Sequence, residues 1–273
     1  MSSILTNNSA MVALATLTEV NRGLNETQNR VSSGLAIRSG KDNAAYFAIS
    51  QTMSGDSSMF KSINEGLTST KNSVATARLG AETVNNLAQQ FTDRVAFAQG
   101  SGINQADVQL ELDSLVSQMT LAIDQSTFNG DDLVNATTAV TVVTGISRAS
   151  GSFATTTISF NQVDLGAIRD SLAAIDLTTS TNLATDLATS EGALANAITA
   201  ATSLGVTEKT LDSQKQFLSS LTDTLDSGIG SMVDANMEKE AARLQAYQVQ
   251  QQLATQSLSI ANQAPQNILS LFR

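Results

Sequence analysis

Apolar side chains recur every three or four residues along most of this chain, a spacing that predicts α-helices with one apolar face. Near the start, a seven-residue period covers Ala13, Leu17, Val20, Leu24, Thr27 and Val31. Residues 236–273 carry a similar pattern at the other end of the chain. A period of 3.5 residues is typical of helices that wind around a partner helix, so each end requires such a partner.

Both terminal helices are short, and short helices are marginal in water unless they pack. We therefore expect them to pair with each other or with other copies of the chain, and we favour other copies because no globular body remains to cover them. The residues predicted to pack between subunits are Leu14, Leu17, Val20, Leu24, Val31, Met237, Leu244, Leu253, Leu258, Ile260, Leu269, Leu271 and Phe272.

The clearest single pattern runs over residues 60–98 and predicts one long helix that ends before Gly100. Asn104 is then predicted to cap a following helix, and Phe128, Asn129 and Gly130 are predicted to form a turn after it. We interpret the seam of the central helices as an internal core more readily than as a subunit contact. Its predicted members are Phe60, Ile63, Leu67, Val74, Val84, Phe91, Val95, Leu112, Leu115, Leu211, Leu218 and Leu225.

The middle of the chain changes character. The segments 139–143 and 155–160 are rich in threonine and β-branched residues, which predicts two short strands or a β-hairpin. Helix is predicted again from about residue 183 to about residue 225. Gly228 and Gly230 are predicted to interrupt it.

The predicted fold is therefore mainly α, a long antiparallel coiled-coil or helical-bundle rod with a small β-hairpin region. Three domains are predicted, two of them discontinuous. Residues 1–35 and 236–273 form a terminal helical core domain, residues 36–133 and 183–235 form the helical rod, and residues 134–182 form a short variable β-containing region. Asp234 is predicted to cap the last helix.

Composition narrows the class of protein. Aromatic residues make up only 4% of the chain, which is low for a compact enzyme of 273 residues. The net charge of −10 and the lack of a basic stripe argue against binding to nucleic acid. Residues 1–20 contain no lysine or arginine and no continuous apolar run. We therefore expect neither a cleaved signal peptide nor insertion into a membrane.

The reactive side chains of most enzyme classes are missing. The chain has no histidine and no cysteine, so histidine-based triads, thiol catalysis and zinc sites built from these residues are excluded. Asp131 and Asp132 are interpreted as an acidic turn rather than a calcium loop, and Glu238 and Glu240 as ordinary surface charge. We expect no enzymatic activity, no cofactor and no metal.

Three segments together resemble bacterial flagellin, the subunit of the flagellar filament: residues 31–49, residues 127–130 and the ending 259–273. The resemblance covers roughly residues 1–135 and 185–273. The positions that match the family's motifs are Ser32, Gly34, Lys41, Asp42, Phe128, Asn129, Gly130, Ala261, Asn262, Pro265, Gln266 and Arg273.

This resemblance implies a structural subunit that polymerises into the extracellular flagellar filament for swimming motility. It implies an inner-core domain made from both termini, with the outer domains of longer flagellins absent or reduced to residues around 134–182. It also implies export in an unfolded state by the flagellar type III export apparatus, without a cleaved signal peptide. The implied partners are the chain itself, related flagellins, an export chaperone, the filament cap and the junction proteins.

One stretch departs from the family pattern. Many flagellins carry a motif on the second N-terminal helix that an animal innate immune receptor recognises. In the corresponding residues 92–99, only Arg94 and Gln99 match it. The resemblance therefore implies weak or no recognition by that receptor.

Two other classes of protein fit the sequence less well. A hook–filament junction protein shares both terminal patterns but forms a short ring, and such proteins commonly carry a proline soon after the acidic pair. Here Asp42 and Asn43 run directly into Ala44 and Ala45, which favours a filament subunit. A secreted coiled-coil effector or membrane translocator would be expected to carry a long apolar hairpin, and the sequence has none.

Overall fold

The computed structural model describes residues 6–148 and 152–270, with side chains described as far as Gln263. The helices are α1 (Asn8–Ser33), α2 (Gly40–Ala98), α3 (Gln105–Asp124), α4 (Leu165–Ala173), α5 (Leu183–Val233) and α6 (Met237–Ser270). The strands are β1 (Thr127–Phe128), β2 (Asp131–Asp132), β3 (Ala139–Ser147) and β4 (Ala154–Asn161). The mainly α fold with a small hairpin region is confirmed.

The chain forms two compact units. The terminal unit comprises Met1–Asp56 and Thr224–Arg273, and the central unit comprises Ser57–Asp223. The two long helices α2 and α5 each contribute residues to both units. Both divisions fall within helices, about twenty residues from the predicted boundary on the N-terminal side and about twelve on the C-terminal side.

In the terminal unit, α1 and α6 lie antiparallel, and the chain segments beside their meeting ends are joined by backbone hydrogen bonds. Gly34 ends α1 with a φ of 74°, a left-handed conformation that glycine adopts without strain. The Ala36 N–H then donates to the Val233 carbonyl (2.7 Å), and the Ala235 N–H donates to the Gly34 carbonyl (2.8 Å). This short ladder places the end of α1 next to the start of α6.

Helix α2 is longer than the predicted 60–98 segment, although it ends at Ala98 as predicted. Its first turn is interrupted at Asn43, which has extended dihedral angles (φ −161°, ψ 107°). The Asn43 side-chain oxygen accepts hydrogen bonds from the backbone N–H groups of Ala45 (3.1 Å) and Tyr46 (3.2 Å). Asn43 therefore caps the long helical part of α2.

The core of the central unit consists of apolar side chains from α2, α3, α4, α5 and the segment that follows α4. Spacings of three and four place these residues on one face of each helix. The largest fully buried members are Phe91, Leu67, Leu112, Met119, Ile123, Leu165, Leu172, Leu177, Leu204, Leu211, Leu218 and Val74.

Two hairpins follow α3. Strands β1 and β2 pair across Asn129 (φ 51°) and Gly130 (φ 86°), and two positive φ angles are what a tight two-residue hairpin turn requires. Strands β3 and β4 pair antiparallel with Ala139 opposite Asn161, and a bulge lies between Val143 and Gly145. The predicted turn and the predicted hairpin are both confirmed.

Helix α4 was not predicted. It is only nine residues long, too short for its apolar period to stand out, and Asp164 caps it by accepting a hydrogen bond from the Ala167 N–H (2.8 Å). Its apolar residues pack against α3. The Gln109 side chain of α3 also accepts from the Leu177 N–H (3.0 Å) and donates to the Ile175 carbonyl (3.4 Å).

The predicted break at Gly228 and Gly230 is wrong, because α5 continues through both residues to Val233. A side chain at Gly228 would meet the Met53 methyl group at 3.2 Å, so this glycine allows a close approach to α2 rather than ending the helix. The predicted cap is also wrong. The Asn236 side chain, not that of Asp234, accepts from the Lys239 N–H (3.0 Å) at the start of α6.

Candidate assembly surface of the terminal helices

The seam between α1 and α6 follows the predicted seven-residue period. On α1, Ala13, Val20, Leu24 and Thr27 are buried. On α6, the residues turned toward α1 form what we call the inner stripe, which comprises Glu240, Leu244, Tyr247, Gln251, Ala254, Leu258 and Ala261. Its members are buried or partly exposed, and their spacings alternate between four and three residues.

Polar contacts cross this seam at three levels. The Gln251 side chain donates to the Asn21 side-chain oxygen (2.6 Å), and the Asn7 side chain donates to the Ala261 carbonyl (2.7 Å). At the other end, the Glu240 Oε1 atom lies 3.7 Å from the Arg30 guanidinium. The contacts run in opposite directions along the two helices, which establishes their antiparallel arrangement.

Glu240 corrects the interpretation of this residue as surface charge. It is only 5% exposed, and its Oε1 atom also accepts a hydrogen bond from Arg243 (2.9 Å). Its Oε2 atom has no hydrogen-bond partner among the described residues. A carboxylate is tolerated at such a position only when cations compensate it, and here Arg30 and Arg243 do so.

Gly23 allows the two helices to approach closely. A Cβ atom at this position would lie 2.6 Å from the Tyr247 ring and 2.9 Å from its hydroxyl oxygen. A real side chain at position 23 would therefore force Tyr247 to move. The Tyr247 ring thus packs directly against the backbone of Gly23 in the seam.

A second set of apolar side chains faces away from the seam. On α1, Met11, Val12 and Leu14 are 64%, 62% and 54% exposed. On α6, Val249, Leu253 and Ile260, which we call the outer stripe, are 56%, 60% and 67% exposed. At 100° per residue, the outer stripe lies on roughly the opposite side of α6 from the inner stripe.

Two grooves border these exposed side chains. One has a volume of about 540 Å³ and is lined by Val20, Tyr247, Leu253 and Ala254 among others. The other, of about 640 Å³, lies along the outer side of α1 beside Met11 and Leu14. Exposed apolar side chains next to shallow grooves are typical of a surface that another protein covers.

The residues predicted to pack between subunits fall into three groups. Val20 and Leu24 are buried against α6 of the same chain, and Leu17, Val31, Leu244 and Leu258 are half-buried along that seam. Leu14, Met237, Leu253 and Ile260 are exposed. The side chain of Leu269 is not described, and Leu271 and Phe272 lie outside the described residues.

The predicted rod seam is mostly buried in the central unit, where Phe60, Leu67, Val74, Val84, Phe91, Val95, Leu112, Leu211 and Leu218 are all less than a tenth exposed. Ile63 and Leu115 are only half-buried. Leu225 is also half-buried and belongs to the terminal unit.

The first resemblance segment contains a carboxylate with a local structural role. Asp42 Oδ2 accepts hydrogen bonds from the backbone N–H groups of Arg38 (3.0 Å) and Ser39 (3.1 Å). The bond from Arg38 is the main cause that lowers the pKa of Asp42 below its usual 3.8. Ser32 and Lys41 are exposed, and Gly34 provides the end of α1.

The remaining motif positions lie at the other two segments. Phe128, Asn129 and Gly130 form the β1–β2 turn. Ala261 accepts the hydrogen bond from Asn7, and Asn262 is exposed on α6. The side chains of Pro265 and Gln266 are not described, and Arg273 lies outside the described residues.

No group of three or more carboxylates that could hold a metal ion occurs within residues 6–148 and 152–270. None of the described helices is both long enough and apolar enough to cross a membrane.

Comparison with protein families identifies the chain. The model of the bacterial flagellin N-terminal helical region matches residues 4–139, and the model of the bacterial flagellin C-terminal helical region matches residues 187–272. This chain belongs to the bacterial flagellin family. It is the structural subunit of a flagellar filament, which lies outside the cell.

Two similar flagellins align with this chain over its whole length. The chain is 38% identical over 281 residues to a flagellin of Brucella melitensis biotype 1, with 100% of both chains covered. It is 33% identical over 276 residues to flagellin FljM of Caulobacter vibrioides, covering 100% of this flagellin and 99% of that one. A solved structure of a putative flagellar hook-associated protein from Vibrio parahaemolyticus superposes with a TM-score of 0.46 at 14% identity, covering 69% of this flagellin and 96% of that chain.

The seam contacts of this flagellin were only partly visible in its sequence. Gln251 occupies a seam position of the seven-residue period, and a polar residue there is a signal that something must pair with it. Tyr247 and Glu240 lie on the same face of α6, at spacings of three or four residues from their neighbours in the seam. Their partners Gly23 and Arg30 carry no signal of their own, because neither a glycine nor an arginine in a helix marks a seam position.

Proposed function

We propose that this flagellin polymerises by burying the outward apolar faces of α1 and α6 against other copies of the chain. The observation that carries the proposal is the outer stripe, together with Met11, Val12 and Leu14, all more than half exposed. Their burial by a neighbour would contribute about 1.5–3 kcal/mol for each large side chain before ordering costs are subtracted.

The contacts between copies must join different surfaces of each chain. A contact between identical surfaces closes into a dimer, whereas contacts between different surfaces repeat and build an open helical polymer. The two outward faces, on α1 and on α6, differ in sequence and in the grooves beside them. This difference supports a head-to-tail contact rather than a closed pair.

The test is polymerisation of the purified full-length chain, measured by sedimentation and by negative-stain electron microscopy. A Leu253→Asp, Ile260→Asp variant is expected to raise the critical concentration at least about tenfold, because 1.4 kcal/mol corresponds to a factor of ten. The matched control is Gln252→Asp, since Gln252 is exposed and polar on the same helix.

Two further outcomes have defined meanings. A chain that lacks residues 236–273 should not polymerise, since it lacks α6 altogether. Unchanged assembly of the Leu253→Asp, Ile260→Asp variant would show that the outer stripe is not an assembly surface. Short rings from the intact chain, instead of long filaments, would indicate a junction protein.

We further propose that the chain leaves the cell through the flagellar type III export apparatus, unfolded and without a cleaved signal peptide. The proposal rests on family membership and on the absence of cysteine, since no disulfide would need to form outside. An export chaperone would bind the C-terminal part, and the filament cap and junction proteins would meet the chain at the growing filament. Mass spectrometry of filament subunits that found a shortened N-terminus would contradict this proposal.

We also propose that the innate immune receptor for flagellins responds weakly to this chain. Arg94, one of the two residues that match the recognition motif, pairs with Glu111 (3.0 Å), and Gln99 is exposed beyond the end of α2. Reporter cells that express the receptor should respond less to purified monomer than to a flagellin with the full motif. Equal responses at equal concentrations would refute the proposal.

A further inference from the structure

Helix α6 presents two apolar stripes, and either one could in principle dock on α1. The inner stripe contains Leu244, Ala254 and Leu258, and the outer stripe contains Val249, Leu253 and Ile260. By apolar content alone the two stripes are comparable. Yet the inner stripe packs on α1, and the outer stripe remains 56–67% exposed.

Backbone contacts do not make this choice. The hydrogen bonds among Gly34, Ala36, Val233 and Ala235 hold the end of α1 near the start of α6. They lie outside both helices and constrain no side chain of α6. A helix tethered at one end still has to select which face turns toward its neighbour.

The polar residues of the inner stripe have matched partners on α1. Glu240 meets Arg30 (3.7 Å), and Gln251 donates to Asn21 (2.6 Å). Tyr247 occupies the space that the missing side chain of Gly23 leaves open. If the outer stripe docked instead, these contacts would be lost.

We propose that Glu240, Tyr247 and Gln251, which we name the selector residues, determine which stripe of α6 docks on α1 and thereby keep the outer stripe free for a second copy of the chain. Glu240 has the leading role, because a carboxylate that is only 5% exposed is tolerated only beside its cations. A single buried polar residue is known to fix one geometry among near-equivalent helix pairings. This inference rests on the proposed assembly through the outer stripe.

The natural chain contains no cysteine, so disulfide reporters give an unambiguous readout. One reporter carries Leu17→Cys and Ala254→Cys. These positions lie one turn beyond the Asn21–Gln251 contact along each helix, so they lie close together when the inner stripe is docked. The other carries Leu17→Cys and Leu253→Cys, and it closes only when α6 is rotated so that the outer stripe faces α1.

Each reporter is combined with Glu240→Arg, with the double exchange Arg30→Glu, Glu240→Arg, and with the control Glu238→Arg, whose glutamate is exposed in the same first turn of α6. Disulfide yield within one chain is measured on soluble chain and on pelleted polymer. We expect Glu240→Arg to lower the first disulfide and raise the second. The double exchange should restore the original pattern, and the control should leave it unchanged.

The remaining outcomes are decisive. An unchanged first disulfide in Glu240→Arg, or a decrease without any gain in the second disulfide, would overturn the role of the selector residues. The first result would show that Glu240 does not matter, and the second would show a purely structural loss of packing. A third outcome separates the two proposals. If the disulfide pattern is as expected but neither the natural chain nor any variant polymerises, the proposed assembly is overturned and the role of the selector residues stands.

Discussion

At the residue scale, two glycines of the terminal unit differ in what surrounds them. Gly23 faces the Tyr247 ring, whereas nothing lies within 4 Å of a Cβ placed on Gly55. Both lie inside helices, so alanine at either position gains the same helix propensity. The difference in stability between Gly23→Ala and Gly55→Ala therefore measures the cost of disturbing the close approach of α6 to α1.

We expect Gly23→Ala to destabilise the α1–α6 pair by about 1–3 kcal/mol, the usual cost of overpacking. Gly55→Ala should stabilise by about 0.4–1 kcal/mol. Hydrogen exchange of the α1 and α6 amides in assembled filaments measures the first effect, and exchange of the α2 amides around Gly55 measures the second. Equal protection in the two variants would show that Tyr247 relaxes without cost.

Asp42 gives the segment after α1 a dependence on pH. Its pKa is lowered mainly by the hydrogen bond from the Arg38 N–H, so the ionised form is favoured in the folded chain. The contribution to stability is therefore complete above the unfolded pKa of 3.8 and is lost as pH falls through the lower folded pKa.

We expect this acid-induced loss to be absent in Asp42→Asn, because an amide does not titrate. The measurement is the chemical shift of the Asp42 carboxyl carbon against pH, together with exchange of the Arg38 and Ser39 amides. A folded pKa at or above 3.8 would contradict the prediction.

At the element scale, the Gln109 side chain of α3 forms hydrogen bonds with the backbone just after α4. Gln109 bonds both the Ile175 carbonyl and the Leu177 N–H, which follow the end of α4. Buried Leu165, Ile168 and Leu172 supply the apolar contact on the helix itself. The segment is thus held by apolar packing of the helix and by two hydrogen bonds between the Gln109 side chain and the backbone that follows it.

We expect Gln109→Ala to destabilise this segment by about 1–3 kcal/mol, since it leaves a backbone donor and acceptor without partners. Exchange of the amides in residues 165–177 should accelerate, while that of α2 should not. Gln118→Ala, an exposed position on the same helix, is the control. Equal acceleration in both variants would contradict the assigned role of Gln109.

The regularity of each element explains why some helices and strands could be predicted from the sequence. Helix α2 and the β3–β4 hairpin carry long periodic patterns, and their local spacing alone distinguishes helix from strand. Gly228 and Gly230 were misleading because a glycine that ends a helix and a glycine that admits a neighbouring side chain look identical in sequence. At Gly228, only the nearby Met53 side chain separates the two cases.

At the scale of the whole molecule, the acidic charge is unevenly divided. The terminal unit contains seven basic and eight acidic residues, whereas the central unit contains eight basic and seventeen acidic residues. The terminal unit is therefore close to neutral. The apolar faces proposed for assembly lie on this nearly neutral unit, and we expect the more acidic central units of neighbouring copies to repel one another.

We expect added sodium chloride to lower the critical concentration for assembly, because at 0.1 M ionic strength salt screens the repulsion between exposed charges that lie more than about 10 Å apart. Sedimentation of polymer across a series of salt concentrations measures this effect. Replacing two exposed acidic residues of the central unit, Asp93 and Glu191, by asparagine and glutamine should reduce the salt dependence. A critical concentration independent of salt would show that repulsion does not limit assembly.

The sequence by itself determined the helical class, the hairpin, the tight turn at Asn129 and Gly130, and the membership of a filament-forming family. These features depend on local periodicity, on the backbone preferences of single residues and on motifs that are contiguous in the chain. Tertiary structure alone decided which stripe of α6 faces α1, that Glu240 is buried beside Arg30, and that α4 folds onto α3. Each of these depends on contacts between residues distant in the chain. The spacing of apolar residues along the sequence shows that a helix face is buried, but not which partner packs against it.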